Sequence, residues 1–362
     1  MRHDEDRVFL IAEAGVNHNG SVDRAFEMID AASEAGADAI KFQTFRAADL
    51  ATGSAPQAAY QARASGAAGS QIDLLRELEL DGPAHHALAQ RCRARGIEFM
   101  SSPFSVAALR MLVGELGVAR IKIPSGEIDN PLLLLQAARS DRPVILSTGM
   151  STLGDVERAL GVLAFGHSRA TDKPARAAFE RAYNRAMLEG SLIERVAILH
   201  CTTQYPAPDE DMNLRAMDTL RDAFGLRVGL SDHSTGIAIS LAAAARGAAI
   251  IEKHFTLDRN LPGPDHAASV TPDELKTLVS SVRRIERALG TRRKIVAASE
   301  RENVAVARRS LVAARPIRRG EQFTDDNLTV KRPGGGISPM SYWDWLGRTA
   351  ARDYRKDELI DP

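Results

Sequence analysis

Two cysteines, Cys92 and Cys201, are all that the 362 residues carry. They are too few and too far apart for a disulfide framework, so a reducing compartment, the cytoplasm, is expected. Neither sign of charge is in excess, since Lys+Arg and Asp+Glu both number 47. That balance argues against a nucleic-acid partner, which would call for a basic surplus. Short basic runs such as Arg283-Arg284 and Arg292-Arg293-Lys294 read as solvated surface. No apolar run approaches the roughly 20 residues that cross a bilayer, so no membrane partner is expected. The opening MRHDEDRVFL is charged where a secretion signal needs apolar residues. A glycine-rich G-x-G-x-x-G turn is also missing. The first strand candidate runs instead into Gly15-Val16-Asn17-His18-Asn19-Gly20, which counts against an open dinucleotide-binding sheet.

What is present is a regular alternation. Short runs rich in Val, Ile and Phe are separated by stretches of helical period. The strand candidates are Val8–Glu13, Ala39–Gln43, Glu98–Ser102, Arg120–Ile123, Val144–Thr148, Val196–Cys201, Arg227–Asp232 and Ala249–His254. Eight strand–helix units predict parallel strands with right-handed crossovers, closed into a (β/α)8 TIM barrel over residues 1–290. A polar, alanine- and arginine-rich interval at about 165–194 reads as a helical excursion on the rim. The long connection Arg46–Ser70, rich in Ala, Gly and Ser, reads as an active-site loop. Residues 291–304 read as a linker, and 305–362 as a compact domain of about 58 residues with short strands and turns. That last domain carries a weak internal repeat, Ala314–Phe323 against Ala351–Ile360, and its core is marginal on its own.

In such barrels the chemistry sits at the C-terminal ends of the strands. Here every strand end is polar: Glu13, Lys41 with Gln43, Ser101-Ser102, Lys122, Ser147-Thr148, His200, Ser231-Asp232-His233 and Glu252-Lys253-His254. Together they predict a mixed-charge pocket. Lys41 and Lys122 interrupt apolar runs, and lysine is rarely buried unpaired. The two suit either a phosphate or carboxylate ligand or a structural lysine–carboxylate pair. His233 and His254 end adjacent strands and can converge on one borderline divalent ion. His18, His200 and His266 read as structural or pocket-lining. Glu13 and Glu127 are candidates for proton transfer. Lysines and a metal nearby would keep them ionised, suited to base work, or they would simply pair with the lysines.

These residues stand in recognisable strings: Ile11-Ala12-Glu13-Ala14-Gly15-Val16-Asn17-His18-Asn19-Gly20, Lys41-Phe42-Gln43-Thr44-Phe45, Pro124-Ser125-Gly126-Glu127 and Leu146-Ser147-Thr148-Gly149-Met150. Further along come His200-Cys201-Thr202-Thr203, Gly229-Leu230-Ser231-Asp232-His233, Glu252-Lys253-His254-Phe255-Thr256 and Pro262-Gly263-Pro264-Asp265-His266. In that order they resemble the N-acetylneuraminate (sialic acid) synthase family, which includes N,N'-diacetyllegionaminate synthases. The tail Val330-Lys331-Arg332-Pro333-Gly334 resembles that family's antifreeze-like (SAF, β-clip) domain. The resemblance implies condensation of phosphoenolpyruvate (PEP) with an N-acyl amino sugar. PEP carbon 3 attacks the sugar aldehyde, water adds at carbon 2, and phosphate leaves with C–O cleavage.

By the same resemblance His233 and His254 hold a divalent ion, typically Mn2+, with Mg2+ or Co2+ as alternatives, that polarises the aldehyde. Lys41, Lys122, Ser147 and Ser231 match PEP-binding positions, Ser102 keeps the hydroxyl of a common threonine, and Ser125 is a further substrate-binding candidate. Gln43, Tyr205 and Asp265 match sugar contacts, and Glu13 and Glu127 match proton-transfer and water-activating positions. Arg332 matches an arginine delivered to the other subunit's site, which implies a domain-swapped homodimer. The acceptor is N-acetylmannosamine or 2,4-diacetamido-2,4,6-trideoxy-mannose. The rim excursion and Thr203 lean toward the second, and Glu13-Ala14-Gly15 leans away from the pseudaminate branch. A Schiff-base aldolase acting through Lys41 or Lys122, and a non-catalytic sugar- or anion-binding protein, are the competing readings.

Overall fold

The structure is a computed structural model, and residues 7–52 and 70–361 are described. Most of the long connection expected as an active-site loop, residues 53–69, lies outside them. The chain divides into two compact units, 1–290 and 291–362. Among the described residues no helix is long and apolar enough to cross a membrane.

Eight parallel strands form the first unit's sheet: β1 (Phe9–Gly15), β2 (Ala39–Thr44), β3 (Glu98–Pro103), β4 (Ile121–Ile123), β5 (Val144–Ser147), β6 (Val196–Cys201), β7 (Arg227–Asp232) and β8 (Ile250–His254). Their hydrogen-bonded order is β3-β2-β1-β8-β7-β6-β5-β4, and β3 lies alongside β4 to bring the barrel round. At that seam Arg120 grips Glu98 with two bonds, Nε–Oε1 at 2.8 Å and Nη2–Oε2 at 3.0 Å. The same guanidinium sits 4.2 Å from the centre of the Phe9 ring.

Successive strand residues face opposite ways. Leu10, Ala12, Ile40, Phe42, Leu146, Ile198 and Ile251 join the helices in the large outer core. Ile11, Ala39, Met100, Ile145, Leu199 and Ile250 form a separate apolar plug inside the barrel. Gly229 is needed in that interior, since a Cβ there would fall 2.2 Å from the Ile250 carbonyl oxygen. The surrounding helices start where capping chemistry places them. Ser21, Asp81, Ser105, Asn130 and Thr152 each accept a bond from a first-turn backbone N–H. The rim excursion carries the helix Arg176–Glu189. Phe165 belongs to the preceding helix, Leu153–His167, and meets Phe179 edge-on at 5.2 Å.

The second unit pairs β9 (Ser310–Ala313) antiparallel with β10 (Leu328–Lys331) over its own core of Leu311, Ile317, Phe323, Leu328, Tyr354 and Ile360. The repeat seen in the sequence is a structural one. Ile317 and Tyr354, equivalent positions of the two copies, exchange backbone bonds of 2.9 and 2.8 Å. Each copy closes its turn in the same way, Arg318 N donating to Glu321 Oε2 and Arg355 N to Glu358 Oε2. Gly320 and Asp357, again equivalent, both take positive φ.

Candidate active site

Beyond the apolar plug, the inward-facing residues nearer the C-terminal strand ends turn polar. Glu13, Lys41, Ser102, Lys122, Ser147, Ser231, His233, Glu252 and His254 are all buried there. The alternation also removes some polar strand ends from the pocket. Ser101 shares Thr44 Oγ1 with His85 on the helix side. His200 Nε2 donates to Met212 O, and Asp232 and Lys253 engage each other outside the barrel. The expectation that every polar strand end faces one pocket is therefore corrected by the two-residue period of the strands.

At the centre stands a four-membered charge cluster with side chains only 3–4% exposed. Lys41 Nζ lies 2.5 Å from Glu13 Oε2 and 3.6 Å from Glu252 Oε2, and it donates to Ser102 Oγ at 3.1 Å. Lys122 Nζ lies 3.2 Å from Glu252 Oε1, which also accepts from Ser231 Oγ at 2.8 Å. Both lysines are thus paired with carboxylates.

The two carboxylates are driven apart in charge state. Burial pushes Glu13 up to about 7, against the pull of Lys41. Burial also works to raise Glu252, but Lys122 and Lys41 outweigh it and hold that carboxyl at about 2. Glu13 is therefore not simply the ionised carboxylate its charged neighbours implied, because desolvation wins at its position. Burial lowers Lys122, whereas Glu13 and Glu252 overcome the same burial penalty to raise Lys41. Glu252, seen in the sequence as part of a polar strand end, had not been singled out as a working residue. Its signal was its position two residues before His254, on the same face of β8.

His233 and His254 come together as expected of neighbouring strands, with ring centroids 5.2 Å apart and planes crossing at 75°. His233 Nδ1 donates to Thr202 O at 2.7 Å, and Nε2 lies 3.4 Å from Ser231 Oγ. His254 Nδ1 is buried with no hydrogen-bond partner, 3.7 Å from Asp265 Oδ2. Burial raises Asp265 to about 6. Tyr205 stacks on His233 at 4.1 Å and meets His254 edge-on at 5.3 Å. Among the described residues no group of three or more His, Cys, Asp or Glu gathers as a ready-made metal cage. The donors present, two imidazoles with one unspent nitrogen, nonetheless fit a borderline divalent ion that takes its other ligands from substrate or water.

The other candidates are spread around this centre. A Cβ on Gly15 would stand within 3.3–3.6 Å of Glu13, Gln43 and His254, which places Gln43 beside the charge cluster. Ser125 Oγ accepts from Gly149 N at 2.9 Å. Ser147 Oγ and Thr203 Oγ1 are buried without partners, so donors remain for a ligand. Glu127 sits half-buried on the turn Ser125–Glu127 and accepts from Asn130 Nδ2 at 2.6 Å, not from a lysine. His18 and His266 tie loops: Gly20 N donates to His18 Nδ1, and His266 bonds Thr256 Oγ1 at 2.7 Å. Arg332 lies in the second unit, exposed, directly after β10.

The NeuB family profile matches residues 28–294, and the SAF domain profile matches 308–362. An N,N'-diacetyllegionaminic acid synthase of Campylobacter jejuni is 44% identical over 98% of this chain and 99% of its own length. A protein of the same description from Legionella pneumophila is 43% identical over 94% of this chain and 89% of its own. A solved structure, the N-acetylneuraminic acid (sialic acid) synthetase of Leptospira borgpetersenii in complex with citrate, aligns with TM-score 0.65 and 35% identity. That alignment covers 82% of this chain and 90% of the other.

Proposed function

The chain belongs to the NeuB family, and from that premise we propose that it joins PEP to the aldehyde of an N-acyl amino sugar and releases phosphate. The observation that carries this reading is the central cluster, in which two buried lysines sit with two carboxylates of opposed protonation behaviour. With Glu13 protonated and Glu252 ionised, Lys41 and Lys122 leave the pocket one positive charge in excess. That charge, with the hydroxyls of Ser102, Ser125, Ser147 and Ser231, suits the phosphate and carboxylate of PEP.

The reaction needs one proton for the new hydroxyl and the removal of one from the water that adds at carbon 2. A buried carboxyl pushed up to about 7 is matched to both transfers, and in this reading Glu13 carries them out. Glu252 stays anionic and fixes the lysines. Glu127, on the rim turn, orders the water in this reading. Gln43, Tyr205 and Asp265 take the sugar.

His233 and His254 hold a divalent ion in this reading, Mn2+ by the family resemblance, and the bound ion supplies Lewis-acid polarisation of the aldehyde. The acceptor is 2,4-diacetamido-2,4,6-trideoxy-mannose. PEP adds three carbons and no nitrogen, so the diacetylated product for which the Campylobacter and Legionella relatives are named draws both acetamido groups from the sugar. Arg332 completes the site of a second copy in a swapped homodimer. Both cysteines are free and buried, in keeping with a reducing cytoplasm.

The deciding experiment uses PEP labelled with 18O in the bridging C–O position. C–O cleavage puts the label in the released phosphate and leaves solvent oxygen at carbon 2. Label retained in the organic product would refute this chemistry. Borohydride trapping of a substrate on Lys122 would favour a Schiff-base aldolase instead.

A further inference from the structure

His233 and His254 are each preceded by a charged residue, Asp232 and Lys253. β7 and β8 pair so that these two stand in register. Alternation turns the histidines into the barrel and the charged pair outward, beneath the helix Ala238–Ala245. There Lys253 Nζ lies 3.2 Å from Asp232 Oδ2, with the side chains 1% and 0% exposed. Asp232 Oδ1 accepts from Ser234 N at 2.9 Å and Ser234 Oγ at 2.7 Å, and Oδ2 accepts from Ser240 Oγ at 2.5 Å. Lys253 Nζ also donates to Ser234 O at 2.5 Å. One network therefore ties the end of β7, the residue after His233, the end of β8 and the helix above them.

Stability does not account for such a pair. Desolvating two charges is costly, and well-packed apolar residues of similar volume are commonly as stable or more so. What apolar residues lack is directionality. The network admits one register and one orientation of the two strand ends. His233 has a ring hydrogen bond of its own to Thr202 O, but His254 Nδ1 has none. His254 O accepts from Val270 N at 2.8 Å and Asp265 Oδ2 lies 3.7 Å from Nδ1, so the ion pair at the adjacent position is the constraint that acts on His254 from the opposite face of the sheet.

We propose that the Asp232–Lys253 pair is a positioning device, which sets the separation and orientation of the two imidazoles from the opposite face of the sheet and thereby their affinity for a divalent cation. This rests on the reading of His233 and His254 as metal ligands. The positioning residues touch neither substrate nor ion.

The test is Mn2+ affinity by electron paramagnetic resonance, with Tm measured alongside, on the full-length protein. The double variant Asp232→Leu, Lys253→Met removes both charges together. It is expected to keep a Tm within a few degrees of wild type while its Mn2+ dissociation constant rises roughly 10- to 100-fold. Ser240→Ala, which leaves both charges and removes one anchor, is expected to weaken Mn2+ several-fold (about 3- to 10-fold) while the protein stays folded with a modest fall in Tm. Wild-type protein that binds no Mn2+ would overturn the metal reading and the positioning role with it. Wild type that binds Mn2+, His254→Ala that does not, and a double variant that binds as wild type would overturn the positioning role alone. If the double variant does not fold, Ser240→Ala decides, and wild-type affinity there overturns the proposal.

Discussion

Glu252 Oε1 lies 3.2 Å from Lys122 Nζ inside the barrel, with both side chains almost fully buried. Neither charge has water to solvate it, so each depends on the other and on Ser231. The pairing keeps Lys122 available as a cation where burial alone works against its charge. It also places a fixed anion beside Glu13, which helps to keep that carboxyl protonated into the neutral range.

Removing one member of this cluster strands the others. Glu252→Ala is expected to lose about 3–5 kcal/mol of stability, as breaking a buried pair does. Urea unfolding followed by circular dichroism measures it. A loss under about 1 kcal/mol would show that Lys122 is solvated or otherwise paired. Glu252→Gln keeps a partner for Ser231 but removes the negative charge that raises Glu13. Its pH–rate profile is expected to shift to lower pH on the limb that Glu13 controls.

The two carboxyls make opposite contributions to stability against pH. Glu13 titrates at about 7 in the folded chain against an ordinary 4.5, so the folded state binds its proton more tightly. Its contribution is complete below about 4.5 and is lost as pH rises through 7. Glu252, at about 2, contributes stability that is present above 4.5 and is lost as pH falls toward 2. Glu13→Gln is expected to flatten the decline of Tm between pH 4.5 and 7 relative to wild type. An identical slope in the variant would place the titrating group elsewhere.

His254→Ala is expected to lose Mn2+ binding and turnover together, with some fall in Tm from the cavity left beside Tyr205 and His233. Metal content by atomic emission, read beside activity, checks this. Full activity with no bound metal would sink the metal assignment.

Arg332 is exposed and follows β10 in the second unit, so its loss should leave folding intact. Arg332→Ala is expected to lower kcat/KM for the sugar by about tenfold or more, equivalent to roughly 1.4 kcal/mol of transition-state binding. Wild-type kcat/KM would remove the case for a swapped tail.

Much of the barrel was legible because each strand is a short apolar run between helix signals, and the observed strands keep the expected ends or depart from them by at most two residues. The repeat in the second unit was legible for a simpler reason: Ile317 and Tyr354 occupy equivalent places and pair. Less legible was which member of a polar strand end faces inward. Ser231-Asp232-His233 reads as one polar cluster, yet its middle residue belongs to the helix layer. Charge states were hidden for a related reason. Nearness to lysine argues for an ionised Glu13, and only its depth of burial, with Glu252 holding Lys122, reverses the balance.

The most direct test of the central claim is phosphate release from PEP in the presence of Mn2+, run with 2,4-diacetamido-2,4,6-trideoxy-mannose, with N-acetylmannosamine, and with neither. Release is expected only when a sugar is present, faster with the diacetamido sugar, and abolished by EDTA. No release with either sugar while PEP still binds would contradict the proposed acceptors, and release that persists in EDTA would contradict the role given to His233 and His254.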